Sequence, residues 1–311
     1  MTHRNRTSSG NRGFWPRVTT VALALVFVFG VTGVPTLAGQ DYPLAIQSSV
    51  YAISSGIDLN AKHQLWKMNP LGWLYEQESF LSLPRDGNVY YSIGGLTSAY
   101  GALYAISSGI DLNGKHQLWV INPANGTLSQ QFFVSLPSDG NVYYNVGGLA
   151  FANGYLWAIS SGIDLTGKHQ LWQINPANGA FVRQFFVSVP SDGNVYYNIG
   201  GLAFGNDYLW AISSGVDLNG KHQLSEINPA NGTYVRDFFV SLPRDGNVYY
   251  SVGGLTFGNG NLYSISSGID LNGKHQLSQI DPSNGAYVQQ FFVSLPSDGG
   301  FYYNVAGLAW Q

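Results

Sequence analysis

The sequence predicts an all-β fold, a five-bladed β-propeller of four-stranded antiparallel blades, with the ring closed by the C-terminal strand at 305–310 pairing with the first repeat. Three observations predict it. One phrase returns five times at a strict 53-residue spacing, marked by Tyr51, Tyr104, Trp157, Trp210 and Tyr263. Each unit holds four short β-type runs divided by turn signals and shows no helical periodicity. The two ends of the chain carry complementary fragments of one unit.

The spacing defines contiguous units 50–102, 103–155, 156–208, 209–261 and 262–311. Around the third, NVGGLAF (145–151) reads as strand A, and an ANG turn leads to YLWAIS (155–160) as strand B. A long GIDLTGK loop follows, then HQLWQIN (169–175) as strand C, a PANG turn, and AFVRQFFVS (180–188) as strand D. Four such strands, ordered A to D outward from the axis, are the pattern of a propeller blade. Paired glycines in strand A suit an axis where backbones crowd together. The last copy ends in VAGLAWQ, a strand A with nothing after it, and the first copy starts at strand B. Pairing 305–310 with 50–54 makes one blade from both ends and removes two exposed sheet edges. A β-solenoid is the alternative; its coils are usually shorter, and it would not need complementary half-units.

The phrases GGLAF, LWAIS and HQLWQINPANG resemble the broad group of propellers with NHL-type, YncE-like and PQQ-type repeats. The resemblance covers residues 50–311 and implies the fold. The chain differs from the lyases and quinoprotein dehydrogenases of related fold in having five units and a long, invariant B–C loop, so their activities do not carry over.

Residues 1–17 hold Arg4, Arg6, Arg12 and Arg17 and no acidic residue; an apolar run follows at 18–34, with small residues near Ala38. This reads as a secretory signal peptide over 1–38, or an uncleaved signal anchor, with a lead-in at 39–49. The expected location is secreted and extracellular, or the cell surface if the segment is retained. Removing the four arginines leaves 10 basic against 17 acidic residues, a net charge of −7. An acidic exported body excludes phosphate-backbone binding, so no nucleic-acid partner is expected. No membrane contact is expected beyond the N-terminal segment, and the chain is expected to be a monomer. The absence of cysteine excludes disulfides, thiolate metal sites and cysteine nucleophiles.

Alternating strand directions place both long connections, SSGIDLNGK (B–C) and LPSDGNVYY (D–A), on one face, and the tight turns on the other. The long-loop face is also where the copies agree. SSG-[IV]-D-L-x-x-KHQL is kept in all five, whereas strand D drifts through TLSQQ, AFVRQ, TYVRD and AYVQQ. Loops on a rigid scaffold commonly carry function.

Candidate ligand-binding residues follow. The B–C loop aspartates Asp58, Asp111, Asp164, Asp217 and Asp270 suit an Asx-type turn that stiffens the loop, or a ligand contact. Calcium is a weaker alternative, since one carboxylate and one amide fall short of six to eight oxygen ligands, and no cofactor is expected. Asn-Gly before the lysine suits a hairpin, but Ala61 in the first copy would resist a two-residue I′ turn. His63, His116, His169, His222 and His275 open strand C, too far from the axis to share one ion, so no metal site is expected. Each is expected to bond to the neighbouring blade's loop. Lys115 and its counterparts pair with the loop aspartates for little energy. In the D–A loop, Asp139, Asp192 and Asp245 precede Tyr144, Tyr197 and Tyr250 by five residues. Tyrosine beside aspartate suits sugar binding; packing between blades is the competing role.

Near-identical blades give near-identical environments, which disfavours the split pKa values of acid–base catalysis. No H-E-x-x-H or G-x-S-x-G stands in the chain. The leading expectation is a secreted, non-catalytic, multivalent and lectin-like propeller, binding carbohydrate or a surface polymer through B–C and D–A loops. The alternatives are a structural or protein-interaction module, and a lyase- or hydrolase-type enzyme in the central channel.

Overall fold

The computed structural model describes residues 48–84, 92–138, 144–190, 198–243, 251–296 and 304–311. The N-terminal segment at 1–38, most of the lead-in, and the candidates Asp139, Asp192, Asp245, Tyr197 and Tyr250 lie outside them. The first strands are β1 (Val50–Ser54), β2 (His63–Asn69) and β3 (Leu74–Leu81). Then come β4 (Ile93–Ala99), β5 (Ala102–Ser107), β6 (His116–Ile121) and β7 (Leu128–Val134). The third group is β8 (Val146–Ala152), β9 (Tyr155–Ser160), β10 (His169–Ile174) and β11 (Phe181–Val187). The fourth is β12 (Ile199–Gly205), β13 (Tyr208–Ser213), β14 (His222–Ile227) and β15 (Tyr234–Val240). The last strands are β16 (Val252–Gly258), β17 (Asn261–Ser266), β18 (His275–Ile280), β19 (Tyr287–Val293) and β20 (Val305–Trp310).

They form five four-stranded antiparallel sheets, four of them from consecutive strands. The fifth has the order β20-β1-β2-β3, so the C-terminal strand is the inner strand of the first blade. Val50 pairs with Trp310, and Ala52 with Leu308. Ser49 and Gln311 exchange backbone hydrogen bonds of 2.8 Å just beyond. The chain is a five-bladed β-propeller, closed as the sequence predicts.

Blade faces alternate, as period-2 strands require, and the apolar rows meet between blades. Each of the five core clusters joins residues of two adjacent blades. Trp172 and Ile174, for example, pack on Tyr104, Ile106 and Leu118 of the blade before. At the axis the glycine doublet sets the spacing. A Cβ on Gly147 would lie 2.3 Å from the Ile199 carbonyl oxygen, and one on Gly148 would lie 2.6 Å from Leu202 N, both on the next inner strand. Any side chain at these sites would force adjacent blades apart.

Candidate functional site

The B–C loop is best seen in the second blade. Asp111 Oδ1 accepts hydrogen bonds from Asn113 N (2.8 Å) and Lys115 N (2.9 Å). Asp111 N donates to Lys115 O (2.8 Å), and Gly114 N to Asp111 O (3.0 Å). Leu112 and Asn113 form the turn, and Gly114 follows with φ +70°. This is a type I turn closed by a left-handed residue, not the two-residue I′ hairpin that Asn-Gly suggests. It explains how Ala61 is tolerated at φ +62°: one residue, not two, needs the left-handed region. The same Asp-carboxylate bonds recur in every blade.

The serine that ends strand B holds the base of the loop. Ser107 Oγ donates to Gly109 O (2.7 Å) and accepts from Gln117 N (2.9 Å). His116 Nδ1 donates to Ser107 O at 3.1 Å, which places the ring proton on that nitrogen. In all five copies this bond, at 3.0–3.2 Å, ties the histidine to strand B of its own blade, and His116 also bonds the Tyr144 backbone in the connection to the next blade, a neighbouring-loop contact of the kind the sequence suggested. The histidines are only 2–3% exposed, and burial pushes the His116 and His275 imidazoles down, against hydrogen bonds that raise them. The loop aspartates are buried too, at 6–8% exposure. Burial raises the Asp164 carboxyl, but bonds from Lys168 N, the Thr166 hydroxyl and Thr166 N outweigh it, and the net shift is downward. A further blade-to-blade link comes from Ser108. Ser108 N donates to Ser92 O in its own blade (2.6 Å), and Ser108 O accepts from Val146 N of the next (2.9 Å).

A cleft of about 370 Å³ opens on the long-loop face between the second and third blades. It is lined by Asp164, Thr166, Lys168, Gln170, Gln184 and Phe186 of the third blade and by Ser138 of the preceding D–A connection. Gln170 pairs in register with Phe186 across β10 and β11, and Trp172 with Gln184, so these side chains share the face turned to the preceding blade. Gln184 Nε2 donates to Gln170 Oε1, and Gln131 repeats the bond to Gln117 at 2.7 Å. In the fourth blade an acid takes this place: Gln223 Nε2 donates to Asp237 Oδ2 at 2.8 Å. Half-exposed phenylalanines stand at the same register in the other four blades, Phe80, Phe133, Phe239 and Phe292.

The structure therefore brings Asp164 and a loop lysine together at a cleft and keeps the histidines beneath it. Tyr144 is buried against Val146 and Leu149 between blades. Sequence reasoning missed Gln170, Gln184, Phe186 and Ser138. The FFV triplet carried the signal: adjacent residues of an outer strand face opposite sides, so one phenylalanine of each pair must meet solvent.

Two cavities lie on the axis. That at the long-loop end, about 170 Å³, is lined by inner-strand glycines and by Ser55, Ser108, Ser161 and Ser267. That at the other end, about 100 Å³, is lined by Phe151, Phe204, Phe257 and Trp310, and its symmetry is broken by Thr97, Ser98 and Thr256. Two of those breaks serve closure. Ser98 Oγ donates to Trp310 O (2.5 Å), and Trp310 N donates to Thr256 Oγ1 (2.9 Å). Neither lining contains an acid, a histidine or a lysine. Among the described residues no three His, Asp or Glu side chains converge as a metal site.

No family model matches the sequence, and no curated protein matches it. Among solved structures the chain is similar to glutaminyl cyclase of Myxococcus xanthus, at 15% identity and a TM-score of 0.46 over 70% of this chain and 80% of that one. It is also similar to apo AztD of Citrobacter koseri, at 8% identity and a TM-score of 0.38 over 85% and 97%. The computationally designed Ika4 protein matches at 16% identity and a TM-score of 0.32 over 63% and 94%. Likeness at these identities concerns the fold alone.

Proposed function

We propose that the protein is an exported, non-catalytic binding propeller that acts as a monomer and seats a carbohydrate or related polyhydroxyl polymer in the clefts between its blades. The observation that carries this is the cleft around Phe186. A half-exposed aromatic ring stands beside two glutamine amides, a threonine and a lysine. Sugar C–H faces stack on such rings, while hydroxyls exchange hydrogen bonds with amides and the ammonium. Counterpart phenylalanines at one register in all five blades would turn weak single contacts into avidity for a repetitive target. The aspartate and histidine act underneath, as braces that hold the cleft walls.

Glycan-array screening followed by titration tests this. Binding is expected with up to five sites, and Phe186→Ala should weaken avidity only several-fold because four counterpart phenylalanines remain. Replacing all five cleft phenylalanines should abolish binding. Absence of binding to every glycan and cell-wall polymer would overturn the sugar assignment. The scaffold-only alternative draws on the inward bonds of Asp111 and His116. It prevails if the five-phenylalanine variant keeps full binding to whatever the wild type binds.

A further inference from the structure

The first residue of each B–C turn is a leucine: Leu59, Leu112, Leu165, Leu218 and Leu271. All five are 75–86% exposed. In each copy the Asp carboxylate and the turn's backbone bonds hold the loop on which the leucine stands. The residue is nonetheless the same in all five copies, while the outer strands drift. The propeller's symmetry sets the five side chains on one ring around the axis, on the long-loop face.

We infer that this ring docks the propeller on a phospholipid bilayer. Five separate leucine tips would need five matched pockets on a protein, whereas a fluid hydrocarbon phase receives all of them without shape matching. Each leucine is followed three residues later by a lysine in the same loop. With the leucine just below the headgroups, that lysine lies at the level of the lipid phosphates, with its stem along the apolar boundary. The tip is also suited to shallow insertion. Its backbone N–H groups at Asn113, Gly114 and Lys115 are bonded inside the loop, so they lose little on leaving water. Single insertions are weak, and the rigid ring makes five act together. This goes beyond the expectation of membrane contact through the N-terminal segment alone.

The chain contains no cysteine, so a single label reports one position. Full-length Leu165→Cys, carrying a polarity-sensitive fluorophore, is mixed with phosphatidylcholine–phosphatidylglycerol vesicles. Asn178→Cys, on the tight-turn face, is the control. The label at 165 should shift to the blue and be quenched by nitroxides on the upper acyl chain; the label at 178 should do neither. Changing the other four leucines to serine should weaken the response of the 165 label at least about tenfold. Circular dichroism checks that these exposed replacements leave the fold intact. A 165 label that stays in water while vesicles bind through the N-terminal segment overturns the inference. So does a shift that appears without vesicles as protein concentration rises, which would assign the leucines to a second copy. Glycan binding is read separately and does not bear on either outcome.

Discussion

Four of the five blade junctions are alike where a C–D turn meets the preceding blade, and the fifth is different. At the four, the turn presents a glycine with φ near +68°. A Cβ on Gly126, Gly179, Gly232 or Gly285 would lie 2.2–2.4 Å from a side-chain carbon of the preceding outer strand. In the first blade the same place holds Trp73, at φ +52° and 4% exposed. Its ring lies 4.9 Å from Tyr263, 5.4 Å from Phe291 and 6.1 Å from Trp310, centroid to centroid. The first blade is also the one in which no A–B turn joins the inner strand to its neighbour. The indole of Trp73 sits on the joint between the two chain ends and packs both against the fifth blade. Identical copies thus suffice where the chain is continuous, and added aromatic burial appears where it is not. The junction of the fourth and fifth blades is the contrasting extreme. There Ser278, like Ser225 in the fourth blade, stands where the first three blades have Trp66, Trp119 and Trp172, and a cavity of about 20 Å³ remains beside His222.

The largest effect should come from exchanging the two kinds of junction. Trp73→Gly removes a buried indole and should cost about 3 kcal/mol, with the gain from relieving a left-handed tryptophan already offset. Gly179→Trp should be at least as damaging, because Phe132 occupies the space. Denaturant unfolding of both variants checks this, and a neutral Trp73→Gly would remove the special status of the joint.

Acid should act differently, weakening the ring through its blades and leaving the chain-end joint alone. Burial holds the His116 and His275 imidazoles below their ordinary value. The unfolded chain therefore binds more protons, and their contribution is complete above about pH 6.5 and is lost as pH falls from there through the lowered value held in the fold. The melting temperature should drop between pH 7.5 and 5 by a similar amount in the wild type and in Trp73→Gly. A pH-independent melting temperature contradicts the buried neutral histidines. The smallest effect belongs to Ala61, the one alanine where four copies have glycine. Ala61→Gly relieves φ +62° but frees the unfolded chain, and the balance should stabilise by no more than about 1 kcal/mol. Destabilisation in calorimetry would show that this B–C turn is not strained as its sisters' geometry implies.

The strands were legible because each signal is local. The expected run 155–160 is β9 to the residue, 169–175 differs from β10 by one residue at its C-terminal end, and 145–151 and 180–188 differ from β8 and β11 by one residue at each end. The Asx role of the loop aspartates was legible for the same reason, since donor and acceptor lie within four residues. The histidine's bond to its own strand B was not. His116 and Ser107 are nine residues apart on opposite sides of a loop, and only the loop's path brings them together. Gln170 and Phe186 were missed because their shared face depends on strand register, which the repeat does not encode by itself.

By itself the sequence determined the number of blades, the four strands in each and the way the ring closes. Repetition and period-2 patterning act along the chain and need no partner to be read. Tertiary structure decided which polar groups are spent on the fold and which remain for a ligand. Asp, His and the first Ser of each repeated phrase turn inward; Phe186 and its four counterparts, the lysines and the leucine ring face out. The physical reason is that burial and hydrogen-bond satisfaction belong to pairs of blades, and five nearly identical units reveal their partners only when they are assembled.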